Sequence, residues 1–125
     1  MTTVATDIEA AARTFYAVLD AGDPDLFDRR LADDAVFAFN DLEPVTGSTA
    51  IEQFVTGWKS NFRSLTHEII GITVDPARGT AGVEMVVTYV FPDGHEVRLK
   101  GCSFLDFARE EVTGYRVYID TTKLA

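Results

Sequence analysis

Apolar residues recur at helical spacing through the first twenty positions. Ile8, Ala12, Phe15 and Leu19 lie four, three and four residues apart, which puts them on one face of a helix. Thr6-Asp7-Ile8-Glu9 has the form of a capping box ahead of that stripe, and Gly22 ends it. Asp23-Pro24 then reads as an N-cap followed by proline at the first helical position, which predicts a short second helix carrying Leu26, Phe27 and Leu31. Ala35-Val36-Phe37-Ala38-Phe39 is rich enough in β-formers for a strand, and a loop with a short extended piece at Val45 follows. Past Gly47, Ser48 or Thr49 can cap a third helix, with Thr49 and Glu52 in box spacing. Its stripe is Ile51, Phe54 or Val55, Trp58 and Phe62.

From Leu65 onward the period drops to two. Turn signals at residues 75–79, 92–95 and 109–111 divide the remainder into four long strands joined as a meander. Helices followed by a run of strands define an α+β class, with three N-terminal helices packed on one face of a curved, mostly antiparallel sheet. With no internal repeat or linker, residues 1–125 are expected to form one domain, large enough for a core without disulfides or metals.

Composition narrows the function. No apolar run approaches the length that spans a bilayer, and residues 1–7 lack the basic and apolar parts of a signal peptide, so a cytoplasmic protein is expected. The net charge of -9 repels phosphate backbones and anionic lipid, which disfavours nucleic acid and membrane surfaces as partners. The one cysteine, Cys102, excludes an intrachain disulfide, and two histidines supply no zinc cluster of ordinary spacing. Small molecules and other proteins remain.

The most unusual residue is Asp120, in Tyr115-Arg116-Val117-Tyr118-Ile119-Asp120. Alternation sends Arg116, Tyr118 and Asp120 to one face and Tyr115, Val117 and Ile119 to the other. A two-residue turn at Asp93-Gly94 predicts that Tyr89 opposes Arg98, Val87 opposes Lys100 and Met85 opposes Cys102. Pairing of the last two strands can set Lys100 against Asp120, Cys102 against Tyr118 and Phe104 against Arg116. Tyr89, Arg98, Lys100, Tyr118 and Asp120 then form a polar group on one face. Burial would raise the pKa of Asp120 and make it a proton donor, whereas Lys100 or Arg98 nearby would keep it an anion suited to act as a base. The competing reading is a structural aspartate held by Lys100 or by the hydroxyls of Thr121 and Thr122. His67 alternates with apolar neighbours on the first meander strand, about three strands and roughly 14 Å from Asp120 across a flat sheet. The two could flank a ligand from opposite walls. Trp58, Phe62 and Tyr16 serve either core packing or cavity lining. His95 lies in a turn, Glu84 falls on the face away from Lys100, and Cys102 is a small buried group with no base beside it.

The order of elements, together with Leu19-Asp20-Ala21-Gly22-Asp23, Leu31-Ala32-Asp33-Asp34-Ala35-Val36, Gly47 with Ala50-Ile51, and Arg116-Val117-Tyr118-Ile119-Asp120, resembles the NTF2-like superfamily. That superfamily includes nuclear transport factor 2, ketosteroid isomerase, scytalone dehydratase and limonene epoxide hydrolase, and the likeness is greatest to its SnoaL-like polyketide cyclase group. The resemblance covers nearly the whole chain. It implies a cystatin-like cone whose sheet curls around the helices and leaves an apolar cavity, in a fold that hosts enzymes and non-catalytic binders alike.

Asp120 matches the position of the catalytic acid/base aspartate of such cyclases. The resemblance therefore implies cofactor-independent proton transfer of cyclase, isomerase or dehydratase type on an apolar carbonyl-bearing substrate. Asp120 and His67 are the catalytic candidates, and Tyr16, Trp58, Phe62, Tyr89, Arg98, Phe104 and Tyr118 the substrate-binding ones. The alternatives are a non-catalytic binder of apolar ligands and a protein-interaction module. A homodimer through the outer sheet face, using Tyr115, Val117 and Ile119, is also implied. Phe15 and Phe39 occupy the positions of the tyrosine and aspartate of ketosteroid isomerases and can neither donate nor accept a proton, which argues against that mechanism.

Overall fold

The computed structural model describes residues 3–124. Helix α1, Thr3–Ala21, begins ahead of the Thr6–Glu9 box, which therefore lies inside the helix rather than at its start. Its buried stripe is Ile8, Ala12, Phe15, Tyr16 and Leu19. Gly22, at φ 69°, ends the helix by donating its N–H to the Leu19 carbonyl at 3.1 Å. The Asp23 carboxylate accepts the Asp25 N–H at 2.9 Å, and its carbonyl accepts the Leu26 N–H. These bonds start a single wide helical turn, Leu26–Arg30. Leu31, expected in that helix, instead opens strand β1, Leu31–Phe39. After β2, Val45–Thr46, helix α2 runs Ser48–Lys59, entered through Gly47 at φ 98° with no side-chain cap bond. The expected Thr49–Glu52 box is thus not what starts it. No helix among the described residues is long and apolar enough to cross a membrane.

The meander comprises β3, Ser64–Asp75, β4, Thr80–Val90, β5, Glu96–Ala108, and β6, Glu111–Ile119. The sheet order is β2-β1-β6-β5-β4-β3, antiparallel except where β1 lies parallel to β6. Asn40 extends the β1–β6 ladder with its side chain. Its Nδ2 donates to the Ile119 carbonyl at 2.7 Å, and its Oδ1 accepts the Ile119 N–H at 2.9 Å. The helices cover one face of this sheet, as expected for an α+β cone, and the core lies between them.

Register corrects one expectation and meets another. Tyr89 opposes Val97, Val87 opposes Leu99 and Met85 opposes Gly101, one residue away from the pairing predicted for a two-residue turn. The turn is a three-residue loop. The Gly94 N–H donates to the Phe91 carbonyl, the Phe91 N–H donates to the His95 carbonyl, and Gly94 takes the positive φ of 95°. A turn over Phe91–Gly94 whose last residue is left-handed adds a position and shifts the pairing by one. In the predicted register Val87 would share a face with Lys100; in the observed one it faces Leu99, so both apolar side chains are buried. Between β5 and β6, Cys102 opposes Tyr118 and Phe104 opposes Arg116, as expected.

Period-two alternation then places Tyr115, Val117 and Ile119 inside, and Arg116, Tyr118 and Asp120 outside. The reverse had been expected, both for a polar cavity wall and for an apolar outer patch. Burying Tyr115, Val117 and Ile119 removes far more apolar surface from water than burying the polar trio would, at about 25 cal/mol per Å². The apolar residues that do reach the outer surface of these strands are Ile70, Phe104 and Tyr118. Ile70 faces out in the same alternation as Thr66 and Glu68, and the bulge between Ile69 and Gly71 returns Ile72 to the inside.

On the outer face Arg116 pairs with Asp106, whose Oδ1 also accepts the Thr80 hydroxyl at 2.7 Å. The Arg116 hydrogen bond holds the Asp106 carboxyl below the usual carboxylate range; partial burial opposes it, and the Thr80 hydroxyl and nearby positive charge add to it. The native state therefore binds this proton less readily than the unfolded chain. The pair's stabilisation is fully present above the unfolded aspartate pKa of about 3.9 and is lost as pH falls through the lowered native value. Asp106→Asn should consequently lower the urea midpoint at neutral pH, and the gap from wild type should narrow below about pH 4. A gap independent of pH would show that the pair's charge contributes nothing.

Candidate active site

Between α1, α2 and the inner face of the sheet lies a cavity of about 50 Å³. Phe37, Phe39, Phe54, Met85, Val117 and Ile119 make most of its wall apolar. Polar atoms come from His67, Tyr89, Tyr115, Lys59 and the indole of Trp58. The free space suits a few water-sized groups and is below the roughly 300–1,000 Å³ of an ordinary ligand pocket. A ring-sized ligand therefore requires the surrounding aromatic side chains to turn.

His67 reaches this wall because β3 sends Leu65, His67 and Ile69 inward, with Leu65 against Tyr89 and His67 against Val87. Across from it, α1 presents Asp20. Asp20 Oδ1 lies 2.6 Å from His67 Nδ1, and Oδ2 accepts the His67 backbone N–H at 2.7 Å. An ionised carboxylate only accepts hydrogen bonds, so Nδ1 carries a proton, and in the neutral ring Nε2 is then the free acceptor. Nε2 makes no hydrogen bond to any described residue. The histidine side chain is 8% exposed and the aspartate 21%. Asp20 sits in the last turn of α1, where the helix dipole disfavours an anion, and the two bonds from His67 offset that cost. Sequence reasoning quoted Asp20 only as part of a family-like phrase. The signal that could have found it was a carboxylate on the wrong end of a helix.

The Tyr16 ring packs against His67 with centroids 4.8 Å apart. Its hydroxyl lies 2.6 Å from Ser103 Oγ and 3.2 Å from the Tyr115 hydroxyl, a three-membered chain that ends at Tyr115 on the cavity wall. Burial pushes the Tyr16 phenol up to about 12, although its bonds to Ser103 and Tyr115 counteract this. Burial also raises Tyr115 well above the ordinary phenol value, reinforced by Tyr16. Tyr89 is raised to about 12 by burial alone. All three stay protonated at neutral pH, so they serve as neutral donors rather than bases. Ser103 and Tyr115 carried no motif in the sequence; register alone brings them to Tyr16.

The other sequence candidates divide by face. Trp58 and Tyr89 line the cavity, and Phe62 packs behind them against the Tyr89 ring at 5.0 Å. Tyr16 is buried in the hydroxyl chain instead of lining the wall. Arg98 points outward and bonds Glu68 at 3.3 Å, and Phe104 and Tyr118 are exposed on the same outer face, because each is one position out of phase with the inward residues of its strand.

Asp120 is likewise outside the cavity, exposed just beyond the end of β6. Its Oδ1 accepts the Thr122 N–H at 3.0 Å and the Thr122 hydroxyl at 2.8 Å, and these bonds hold its carboxyl below the usual range. The structural alternative, a carboxylate satisfied by Thr122, describes its surroundings. His95 is exposed and stacked on Phe91, Glu84 is exposed, and Cys102 is half-buried on the outer face rather than buried. No group of three or more His, Cys, Asp and Glu side chains able to hold a metal occurs among the described residues.

Helices packed on one face of a six-stranded, mostly antiparallel sheet form the NTF2-like α+β cone fold. Residues 12–115 match the SnoaL-like domain model, and the chain belongs to that family. Among solved structures it is similar to a candidate SnoaL-like polyketide cyclase of Jannaschia sp. CCS1, at TM-score 0.85 and 17% identity, covering 97% of this chain and 90% of that one. It is also similar to a candidate polyketide cyclase of Xanthomonas campestris pv. campestris, at TM-score 0.81 and 20% identity, covering 97% and 96%. An LEH-like epoxide hydrolase of M. tuberculosis superposes at TM-score 0.80 and 19% identity, covering 94% and 85%. At these identities the likeness concerns the fold. No protein of curated function matches the sequence.

The Asp20 bonds tie α1 to β3 and should be visible in stability. Asp20→Asn is expected to cost about 2 kcal/mol, the worth of charge-assisted hydrogen bonds lost in a partly buried setting. Urea unfolding measures this, and an unchanged midpoint would mean that the pair adds no net stability.

Proposed function

We propose that this chain is a small-molecule enzyme that carries out cofactor-independent proton transfer, of cyclase, isomerase or dehydratase type, on an apolar carbonyl-bearing substrate in the cone cavity. The carrying observation is His67, backed by the Asp20 carboxylate at 2.6 Å, with Nε2 unbonded on a largely apolar wall. In this reading Nε2 removes a proton from a carbon beside the carbonyl and later returns it. Asp20 fixes the ring and stabilises the imidazolium formed between the two steps. The neutral hydroxyl of Tyr115 donates toward the enolate oxygen as charge develops there, in a site where little water competes. Asp120 receives no role, since its carboxylate lies outside the cavity and is occupied by Thr122. The solved relatives described as candidate cyclases and as an epoxide hydrolase are consistent with small-molecule chemistry in such a cone.

Turnover of a substrate found by screening apolar ketones and 1,3-dicarbonyl compounds tests the assignment. His67→Gln is expected to lower kcat by about 100-fold or more, the usual contribution of a general base, whereas Asp120→Asn should leave it within about twofold. Full activity of His67→Gln would remove the proposed base.

A second reading, a non-catalytic holder of a small apolar ligand, is favoured by the narrowness of the cavity and its largely apolar wall. It predicts that His67→Gln leaves ligand-dependent melting shifts intact and that no turnover is found for any bound compound. The homodimer implied by the resemblance carries over with a different surface, since Val36, Ile70, Phe104 and Tyr118 are the large apolar residues exposed on the strands. Light scattering should then give twice the chain mass, and Tyr118→Lys should return it to the monomer. A wild-type monomer at high concentration would end that proposal.

A further inference from the structure

Two polar groups of the cavity are left over by the proposed proton transfer. The Tyr89 side chain belongs to a residue only 2% exposed, yet its hydroxyl bonds no described residue, and burial alone accounts for its raised pKa. The hydroxyl oxygen is not fully enclosed and borders free space, so on the cavity wall it can donate to an acceptor placed inside that cavity. Lys59, half-buried at the end of α2, is the second. Acidic side chains outnumber basic ones 20 to 11, yet its ammonium pairs with no carboxylate among the described residues. It donates at 3.0 Å to the Leu19 carbonyl, which already accepts the Gly22 N–H at 3.1 Å. Releasing Lys59 therefore strands no acceptor, and an ammonium has three protons to give. The two residues belong to one neighbourhood, since both line the same cavity.

We infer that Lys59 and Tyr89 form a carboxylate subsite, so that the molecule held in the cavity is an apolar acid whose chain lies on the aromatic wall. The inference rests on the cavity reading of the proposed function and names the substrate class for it. The ammonium supplies charge and the phenol a directed donor, a pairing suited to one carboxylate and wasted on a hydrocarbon or a simple ketone. Lys59 is a binding group here and takes no part in the chemistry at His67.

Chemical-shift titration of the whole chain with hexanoate and with its neutral isostere hexanamide tests the subsite. Hexanoate is expected to bind about tenfold more tightly, as for a charge-assisted hydrogen bond. Lys59→Met should abolish the preference while leaving hexanamide affinity unchanged. Tyr89→Phe should reduce the preference and leave the protein at least as stable, because the deleted hydroxyl has no partner to strand. Equal binding of the two probes, or a preference that survives Lys59→Met, overturns the subsite and leaves the cavity reading standing. Failure of both probes to perturb cavity residues overturns the two together.

Discussion

The three-residue loop from Pro92 to Gly94 governs which side chains of β4 and β5 meet within the cone. With Gly94 at a positive φ and the Phe91 and His95 backbones bonded to each other, Met85, Val87 and Tyr89 align with Gly101, Leu99 and Val97 on the inner face. A two-residue turn would have paired the same inner residues with Cys102, Lys100 and Arg98, leaving a lysine and an arginine to be desolvated beside apolar groups. The single extra residue keeps both strands apolar inside. It also brings Ser103 to Tyr16.

Within that frame the Asp20–His67 pair joins the two layers. It ties the last turn of α1 to β3, fixes the histidine tautomer through Nδ1, and turns Nε2 into the basic atom of a largely apolar wall. Under the proposed proton transfer the same contact serves stability and chemistry, because a carboxylate that anchors an imidazole also stabilises the cation formed when it takes a proton. Lys59 approaches the same helix end from α2, meeting the Leu19 carbonyl. The helix C-terminus is therefore bounded by a carboxylate occupied with histidine and by a lysine suited to the dipole.

The contrast between Asp120 and His67 shows how a fold can retain a residue at a family-like position without its surroundings. Asp120 follows the last strand as the resemblance expects, but its carboxylate turns to Thr122 at the surface. The Asn40 bonds to Ile119 hold that strand end in phase, leaving Ile119 inside and Asp120 out. Membership of the SnoaL-like family accordingly goes with the cone, whereas the polar groups that face its interior follow from this chain's own packing.

Helical spacing in α1 and α2, and period two after Leu65, were enough to establish the order of elements, the α+β class and the inward stripe of Ile8, Ala12, Phe15 and Leu19. These are local properties, set by where Cβ atoms point along one element. Trp58, Tyr89 and His67 could likewise be singled out, since aromatic and imidazole groups on apolar faces are conspicuous in a sequence. Tertiary structure alone decided the face of β6, the register about Gly94 and the meeting of Asp20 with His67, 47 residues apart. Register depends on one loop residue, and a one-residue change reverses every side chain of a strand, so alternation can state that two faces exist without saying which encloses the cavity. The partner of His67 depended in turn on how α1 lies across β3, a packing outcome of the whole core that no local pattern contains.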